Sequence, residues 1–388
     1  MRILHTSDWH LGRSFHREGM LAHQAAYVDH LLQVVDSERV DLVVVAGDIY
    51  DRALPPVDAV RLADETLVRL AGTRASVVLT SGNHDSAQRL GFSSRLIDAA
   101  GVFIRADATG VGQPIGLADE HGPVAVYGLP YLDPHAVADP WRLPARSHQA
   151  ALSEAMGKVR RDLAGRPPGT RSVVLAHAFV AGAQPSDSER DISVGGVARV
   201  PVEVFEGVDY AALGHLHGRH TLTDSIRYSG SPLAYSFSEA GQHKGSWLIE
   251  LGADGFARAE FVDAPVPRPL VRLRGSLERL LDDPAHAEHQ GSWVEATLTD
   301  AVRPAQAMDR LRRRFPHTLL LGFDSGTPVS GLAPLTPAAA RSDHDIAREF
   351  MADMRGTEPQ VDEVELLFRA IDACCEDTDV DASVVNGR

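Results

Sequence analysis

Five short stretches of this chain end an apolar run with side chains that can bind a metal or move a proton. Ser81-Gly82-Asn83-His84-Asp85 follows Ser76-Val77-Val78-Leu79-Thr80 and presents an amide oxygen, an imidazole and a carboxylate together. A run of β-branched and aliphatic residues stopped by Gly-Asn reads as a buried strand ending in a tight loop. Alone, an Asn-His-Asp turn is ordinary backbone capping; four similar stretches change that reading. Asp8 and His10 close the strand over residues 2–6, and in extended backbone residues two apart point the same way, so their side chains converge. Asp48 follows the apolar residues 41–46 through Gly47, His177 ends residues 172–176, and His215 with His217 follows Tyr210-Ala211-Ala212-Leu213-Gly214. Every one of these ligands is an oxygen or a nitrogen. Two carboxylates, an amide and four imidazoles exceed what one ion needs. Two ions sharing a bridging carboxylate would use them all, and ions paired about 3.5–4 Å apart typically hydrolyse phosphoesters. The donor mixture suits Mn²⁺ or Fe²⁺, with Zn²⁺ as an alternative.

The elements that must carry these residues alternate strand and helix. Leu21, Ala25, Val28, Leu31, Leu32 and Val35 recur at helical spacing between the first two strands, and a helix led by Pro56 precedes the third. Strands that are nearly all apolar belong in a sheet covered on both faces, with the site at the carboxyl ends of its central strands. Residues 87–100 are expected as helix, 107–121 as a Gly-rich loop, 147–163 as helix and 246–251 as a late strand. From about Pro265 the pattern becomes strand, helix, strand, helix, strand, a small α+β unit. The expected organisation is a catalytic domain over 1–264, an α+β capping domain over 265–324, a Pro-, Gly- and Ala-rich linker over 325–340, and a pair of C-terminal helices within 341–376. An acidic, disordered tail over 377–388 completes it.

Composition narrows the function. With 388 residues and 44% hydrophobic content the chain can bury more than one core. Its only cysteines, Cys374 and Cys375, are adjacent, which suits a reducing compartment and excludes a disulfide framework. No stretch is apolar for long enough to span a bilayer and the N-terminus turns polar early, so a cytoplasmic protein is expected. The net charge of −15 argues against a general basic grip on nucleic acid, although metal-binding carboxylates count negative in that sum. Lys158 and Lys244 are the only lysines, a bias put down to coding.

At the residues above, the chain resembles the calcineurin-like metallophosphoesterases, whose signature runs Asp-x-His, Gly-Asp, Gly-Asn-His-Asp/Glu, His, Gly-His-x-His. Residues 1–12, Val45-Ala46-Gly47-Asp48-Ile49-Tyr50-Asp51, Arg190-Asp191-Ile192 and Arg227-Tyr228-Ser229-Gly230-Ser231-Pro232-Leu233 resemble the SbcD family, nuclease subunits of bacterial complexes with an SbcC-type coiled-coil ATPase. The resemblance implies an α/β four-layer sandwich of two mixed β-sheets flanked by helices, followed by the α+β cap and the C-terminal helices. It implies two manganese ions, one held by Asp8, His10, Asp48 and His217, the other by Asp48, Asn83, His177 and His215. His84 would then be the catalytic histidine, since both ions can be filled without it and an imidazole there suits proton transfer near neutral pH. Asp51 stands where archaeal and eukaryotic relatives tend to carry histidine, and is expected to orient His84, with Asp85 as the competing candidate. Residues 47–52 are also similar to the Gly-Asp-x-x-Asp-Arg-Gly of protein phosphatases, but Ala53 replaces the final glycine.

The activity so implied is hydrolysis of DNA ends and hairpins, as exonuclease and endonuclease, in repair, recombination and replication. No Gly-x-x-x-x-Gly-Lys-Ser/Thr loop is present, so ATP would be handled by the SbcC-type partner, with this chain as a homodimer inside a heterotetramer. Ile346, Phe350 and Met354, and Val364, Leu367, Phe368 and Ile371, give the two C-terminal helices apolar stripes suited to docking on that partner. Two other readings stand beside this one: a small-molecule phosphodiesterase or phosphatase of the same superfamily, and a non-catalytic scaffold subunit that holds DNA ends.

Overall fold

Period-two alternation along the apolar runs decides the architecture. Ile3, Leu42, Val44 and Val78 share one buried cluster, while Leu4, Val43, Val45, Val77 and Leu79 share another. Strands that are apolar on both sides need cover on both. The computed structural model describes all residues except 191, 193–198, 325–341, 356 and 383–388, and does not describe the side chains of 353, 354 and 374–382. The expected linker over 325–340, Asp191 of the Arg190-Asp191-Ile192 motif and the last residues of the tail therefore lie outside the described residues.

The described chain divides into two units, the larger made of Met1–Leu273, Asp283–Ala296 and Leu311–Leu321. It is built on strands β1 (Arg2–Thr6), β2 (Leu42–Ala46), β3 (Ser76–Thr80), β4 (Val102–Arg105), β5 (Ile115–Asp119), β6 (Gly122–Leu129), β7 (Arg171–His177), β8 (Tyr210–Gly214), β9 (His220–Thr221), β10 (Ile226–Tyr228), β11 (Gly245–Gly252) and β12 (Gly255–Asp263). One sheet runs β12-β11-β1-β2-β3-β4 and the other β9-β10-β8-β7-β6-β5. Both are mixed: β1, β2, β3 and β4 are parallel neighbours while β11 joins β1 antiparallel. In the second sheet β6, β7, β8 and β10 are parallel and the edges antiparallel.

The sheets pack face to face through Ile3, Val44 and Val78 on one side and Val126, Val173, Leu175 and Ala212 on the other. Helices α1 (Leu21–Ser37) and α2 (Val57–Ala71) cover the outer face of the first sheet through Tyr27, Leu31, Val35, Ala59, Ala63 and Leu70. Helix α3 (His148–Ala164) covers the second through Ala151, Leu152, Ala155, Met156 and Val159. This is the expected four-layer sandwich.

Some elements differ from their sequence reading. The helix expected over 87–100 is broken into Ala87–Leu90, Ser94–Ile97 and a 3-10 turn, because Ser93 takes a left-handed φ of 60°. The expected loop over 107–121 contains the edge strand β5, and β12 is a second edge strand missed in sequence. Both alternate in exposure or face solvent, so neither carries a dense apolar run.

The strand-helix-strand-helix-strand region appears as Leu270–Gly275, Leu277–Asp282, Trp293–Leu298, Ala307–Arg314 and Thr318–Phe323, whose strands form a three-stranded sheet. Within the larger unit, Trp293, Leu270, Leu319 and Leu320 cluster with Phe15, Met20, Leu233, Tyr235 and Phe237. The smaller unit comprises Arg274–Asp282, Thr297–Arg310 and Gly322–Arg388. Its helices Asp343–Arg355 and Val361–Ala382 pack on each other, with the His344 and Phe368 rings tilted at 36° and their centroids 4.4 Å apart. Phe350 and Leu366 are each 62% exposed there. No described helix is long and apolar enough to cross a membrane.

Candidate metal centre

The side chains singled out in sequence stand just past the carboxyl ends of β1, β2, β3, β7 and β8, the adjacent parallel strands in the middle of each sheet. Parallel neighbours end on the same edge, and short backbone bonds join the loops there. Asp8 N–H donates to the Gly47 carbonyl at 3.1 Å and His10 N–H to the Asp48 carbonyl at 3.0 Å, while Ala178 N–H donates to Gly214 at 3.2 Å.

All seven expected ligands and His84 come together. His10 Nε2 lies 3.0 Å from His217 Nε2 and 3.7 Å from Asp48 Oδ2. The same Asp48 oxygen is 3.4 Å from His177 Nε2 and 3.9 Å from His84 Nε2. Asn83 Oδ1 meets His177 Nε2 at 2.9 Å and His215 Nδ1 at 3.1 Å. Asp8, His10 and His217 form one group that could hold an ion; Asp8, Asp48 and His177, and His10, Asp48 and His84, form two more. Asp48 thus stands between the groups, where a bridging carboxylate belongs.

The backbone is strained to achieve this. Asp8, His10 and Asp48 adopt left-handed φ of 53°, 46° and 49°, and His215 adopts 107°. Such conformations cost about 1–3 kcal/mol each and persist where the surroundings over-determine them. They also correct one expectation: Asp8 and His10 converge through left-handed turns beyond β1, not through strand alternation. Two glycines make room. Gly47 takes φ 84° against the His177 ring, and a Cβ on Gly82 would fall on the Asp48 carboxylate.

The donor set fits a cation. Asp8 is fully buried and Asp48 is 2% exposed, yet among the described residues neither has an arginine or lysine ion-pair partner; both face imidazoles. Uncompensated buried carboxylates are costly. Among the described residues His10 Nδ1 has no hydrogen-bond partner, and its Nε2 faces another imidazole nitrogen, that of His217, at 3.0 Å.

Charge perturbation follows from burial and crowding. Burial, reinforced by the Asp48 charge, pushes the Asp8 carboxyl up to about 6, against the pull of His177 and His217. Asp48 goes the other way: burial opposes ionisation, but His177, His10 and His84 outweigh it. Burial holds His10 and His215 well below the usual imidazole range, which keeps them neutral with lone pairs available. Burial also works to lower His177, but the Asp48 and Asp8 charges raise it to about 9.

His84 carries a correction. Its Nδ1 donates to the backbone carbonyl of Asp51 at 2.7 Å, and its N–H donates to Asp48 Oδ1 at 2.9 Å. The Asp51 carboxylate does not reach it, being paired with Arg13 at 3.7 Å and Arg52 at 3.5 Å. Nor does Asp85 orient it: that carboxylate accepts the N–H groups of Ile49, Tyr50 and Gly82 and ties the β2 and β3 loops together. Burial first, then the Asp48 charge, raises Asp85 to about 7.

Several supporting residues were missed in sequence. His217 Nδ1 lies 2.6 Å from Ser188 Oγ, which donates to Glu239 Oε1 at 2.5 Å, and Glu239 in turn is ion-paired with Lys244. Glu189 accepts the His217 N–H at 2.7 Å, and Gln24 Nε2 donates to the His10 carbonyl at 2.8 Å. One signal was available: in an arginine-rich chain both lysines have distinct settings, Lys158 over the Trp141 ring at 3.4 Å and Lys244 buried on Glu239.

Residues 1–219 match the family model described as calcineurin-like phosphoesterase. Residues 266–355 match a second, SbcD_C, described as type 5 capsule protein repressor C-terminal domain. Among solved structures, a novel archaeal phosphodiesterase is 12% identical, with 68% of this chain and all of that one covered at a TM-score of 0.31. GAP50, the anchor in the inner membrane complex of Plasmodium, is 14% identical over 68% of this chain and 84% of its own, with a TM-score of 0.42. A dimetal phosphatase from Danio rerio is 15% identical over 68% and 99%, with a TM-score of 0.39.

Proposed function

Because the chain belongs to the calcineurin-like phosphoesterase family and is of the SbcD type, we propose that it is a dinuclear-metal nuclease that hydrolyses phosphodiester bonds of DNA. The observation that carries this reading is the meeting of five strand-end loops around Asp48, with His84 Nε2 3.9 Å from the Asp48 carboxylate. Asp8, His10, Asp48 and His217 would hold one ion and Asp48, Asn83, His177 and His215 the other, with Mn²⁺ favoured by the mixed carboxylate, amide and imidazole donors. Such a pair, when bound, supplies an acidified water and positive charge for the phosphoryl oxygens.

His84 does the proton work. With Nδ1 held by the Asp51 carbonyl, Nε2 is the ring atom left for the substrate. As the P–O bond breaks, the imidazolium form of His84, favoured by the phosphate it faces, gives its Nε2 proton to the leaving oxygen. Burial lowers the His84 pKa against the pull of the Asp48 charge, so the imidazolium gives up its proton readily to the leaving oxygen.

An SbcC-type coiled-coil ATPase is the partner in this reading, and the exposed Phe350 and Leu366 of the terminal helices support docking there. Homodimer formation is supported by the exposed Val57, Val60 and Val68 of α2. A cytoplasmic setting suits such an assembly. The test uses the Mn²⁺-loaded chain on linear duplex DNA and on bis(para-nitrophenyl) phosphate. Asp48→Ala should lose metal and both activities, whereas His84→Ala should keep its metal and lose turnover by about 10²- to 10⁴-fold. A His84→Ala protein that loses metal, or a wild-type chain that cleaves the small diester and leaves DNA intact, counts against the proposal.

A further inference from the structure

Beside His84 the chain gathers positive charge on a single carboxylate. Arg13 Nε lies 3.7 Å and Arg52 Nη2 3.5 Å from the Asp51 carboxylate, and Arg190 Nη2 lies 3.5 Å from the Asp51 carbonyl, the same oxygen that receives His84 Nδ1. Two guanidinium groups on the Asp51 carboxylate and a third on its carbonyl gather positive charge at one point of a chain whose net charge is −15. The arginines come from separate loops, after β1, after β2 and after β7, so only the fold assembles them.

Arg13 is held ready but not used up. Its Nη2 donates to the Ser188 carbonyl at 2.8 Å and its guanidinium lies 5.0 Å from the centre of the Tyr235 ring. Its Nη1 is buried and has no hydrogen-bond partner among the described residues. A buried donor left unpaired is costly, and an arginine fork pre-aligned by a carbonyl and an aromatic face is suited to bidentate contact with phosphate. Arg52 is 64% exposed at its side chain and Arg190 is also exposed, so both can reach an extended ligand. Their ordinary alternative, fastening the Asp51 carboxylate, accounts for neither the exposed Arg190 on its carbonyl nor the unpaired Arg13 Nη1.

We propose that Arg13, Arg52 and Arg190 form a phosphate clamp beside His84 that grips the DNA backbone next to the scissile diester, so that the site prefers a polyanionic strand to an isolated diester. The inference rests on the reading of the chain as a DNA nuclease. Arg13 provides the anchored contact. The exposed pair follows the strand outward, and Asp51 keeps the three positive charges from repelling one another before DNA arrives.

The test is fluorescence anisotropy of the full chain with duplex DNA in EDTA and with Mn²⁺, across a salt series. Each of Arg13→Gln, Arg52→Gln and Arg190→Gln should reduce the slope of log affinity against log salt by about 1, and the triple variant by about 3. Arg258→Gln, the same charge change on the pair with Glu250 in β12, should leave the slope as it is. In parallel, the ratio of kcat/KM for DNA to that for bis(para-nitrophenyl) phosphate should fall at least about tenfold in the triple variant, through KM on DNA, while Arg13→Lys retains most of the salt slope. An unchanged slope in the triple variant, or an equal loss on both substrates, overturns the clamp and leaves the nuclease reading standing. A wild-type chain that hydrolyses the small diester but neither binds nor cleaves DNA overturns both.

Discussion

Glu239→Gln probes whether the metal centre depends on a support 22 residues along the chain from its ligand. Glu239 is 1% exposed; its Oε1 accepts from Ser188 Oγ at 2.5 Å, and Ser188 meets His217 Nδ1 at 2.6 Å. The chain of bonds fixes the ring: with a proton on Nδ1 passed toward Ser188, Nε2 keeps the lone pair that faces His10. On the other side, Oε2 pairs with Lys244, an 8% exposed ammonium whose further partners, the His217 carbonyl, Ser231 and Gln242, are all neutral. Burial opposes ionisation of Glu239, but Lys244 and then His217 hold its pKa below the usual range. Its contribution to stability is therefore present above the ordinary carboxylate pKa and is lost as the pH falls below it. Glu239→Gln strands a buried cation, which costs about 3–5 kcal/mol, measurable by urea unfolding. It also loosens His217, and removing a support of this kind weakens metal affinity about 10- to 100-fold, or about 1.4–2.8 kcal/mol. Mn²⁺ titration followed by electron paramagnetic resonance should show one weakened site and one unchanged. Glu239→Gln combined with Lys244→Met removes the stranded charge, so stability should recover while the weak site stays weak. If affinity returns together with stability, Glu239 merely holds the fold and the positioning argument fails.

Three further outcomes follow from the same geometry. Gly82→Ala should abolish Mn²⁺ binding while leaving a folded chain by circular dichroism, since the added Cβ displaces the Asp48 carboxylate at a cost of about 1–3 kcal/mol; retention of two ions would refute it. Asp51→Asn should lower turnover of the small diester by less than about tenfold, because the carbonyl that holds His84 survives, against about 10²- to 10⁴-fold for His84→Ala; a comparable loss in both would return the orienting role to the carboxylate. Asp119, held below the usual carboxyl range first by Arg171 and then by the N-terminal ammonium, stabilises the fold above about pH 3.9 and loses that contribution as the pH falls further. Asp119→Asn should therefore lower Tm at pH 7, with the gap to wild type narrowing in acid; a gap that is constant from pH 7 to pH 2.5 would contradict this.

Much of the centre was legible in the chain because each ligand sits directly after a buried strand, and a strand's apolar run and its terminating glycine are local features. Val43-Val44-Val45-Ala46-Gly47-Asp48 states both the strand and its end, and the same holds for β3 and β8, whereas β1 and β7 end without a glycine. Parallel strands that share a sheet must end on a common edge, so the convergence of Asp8, Asp48 and Asn83 on one sheet edge, and of His177 and His215 on the other, could be expected before any contact was seen. The approach of the side chains within that edge could not. It depends on left-handed backbone at Asp8, His10, Asp48 and His215, a state held by neighbours far away in sequence and costly for any of these residues by itself. The same limit explains Asp51: its position pointed to His84, but whether the carbonyl or the carboxylate turned toward the ring depended on Arg13 and Arg52 pulling the carboxylate away. Glu239, Ser188 and Lys244 carry no motif of their own, and Arg13, Arg52 and Arg190 are separated by up to 177 residues. Such contacts are long-range and involve single side chains, so no periodicity announces them; only packing the two sheets face to face brings them into one place.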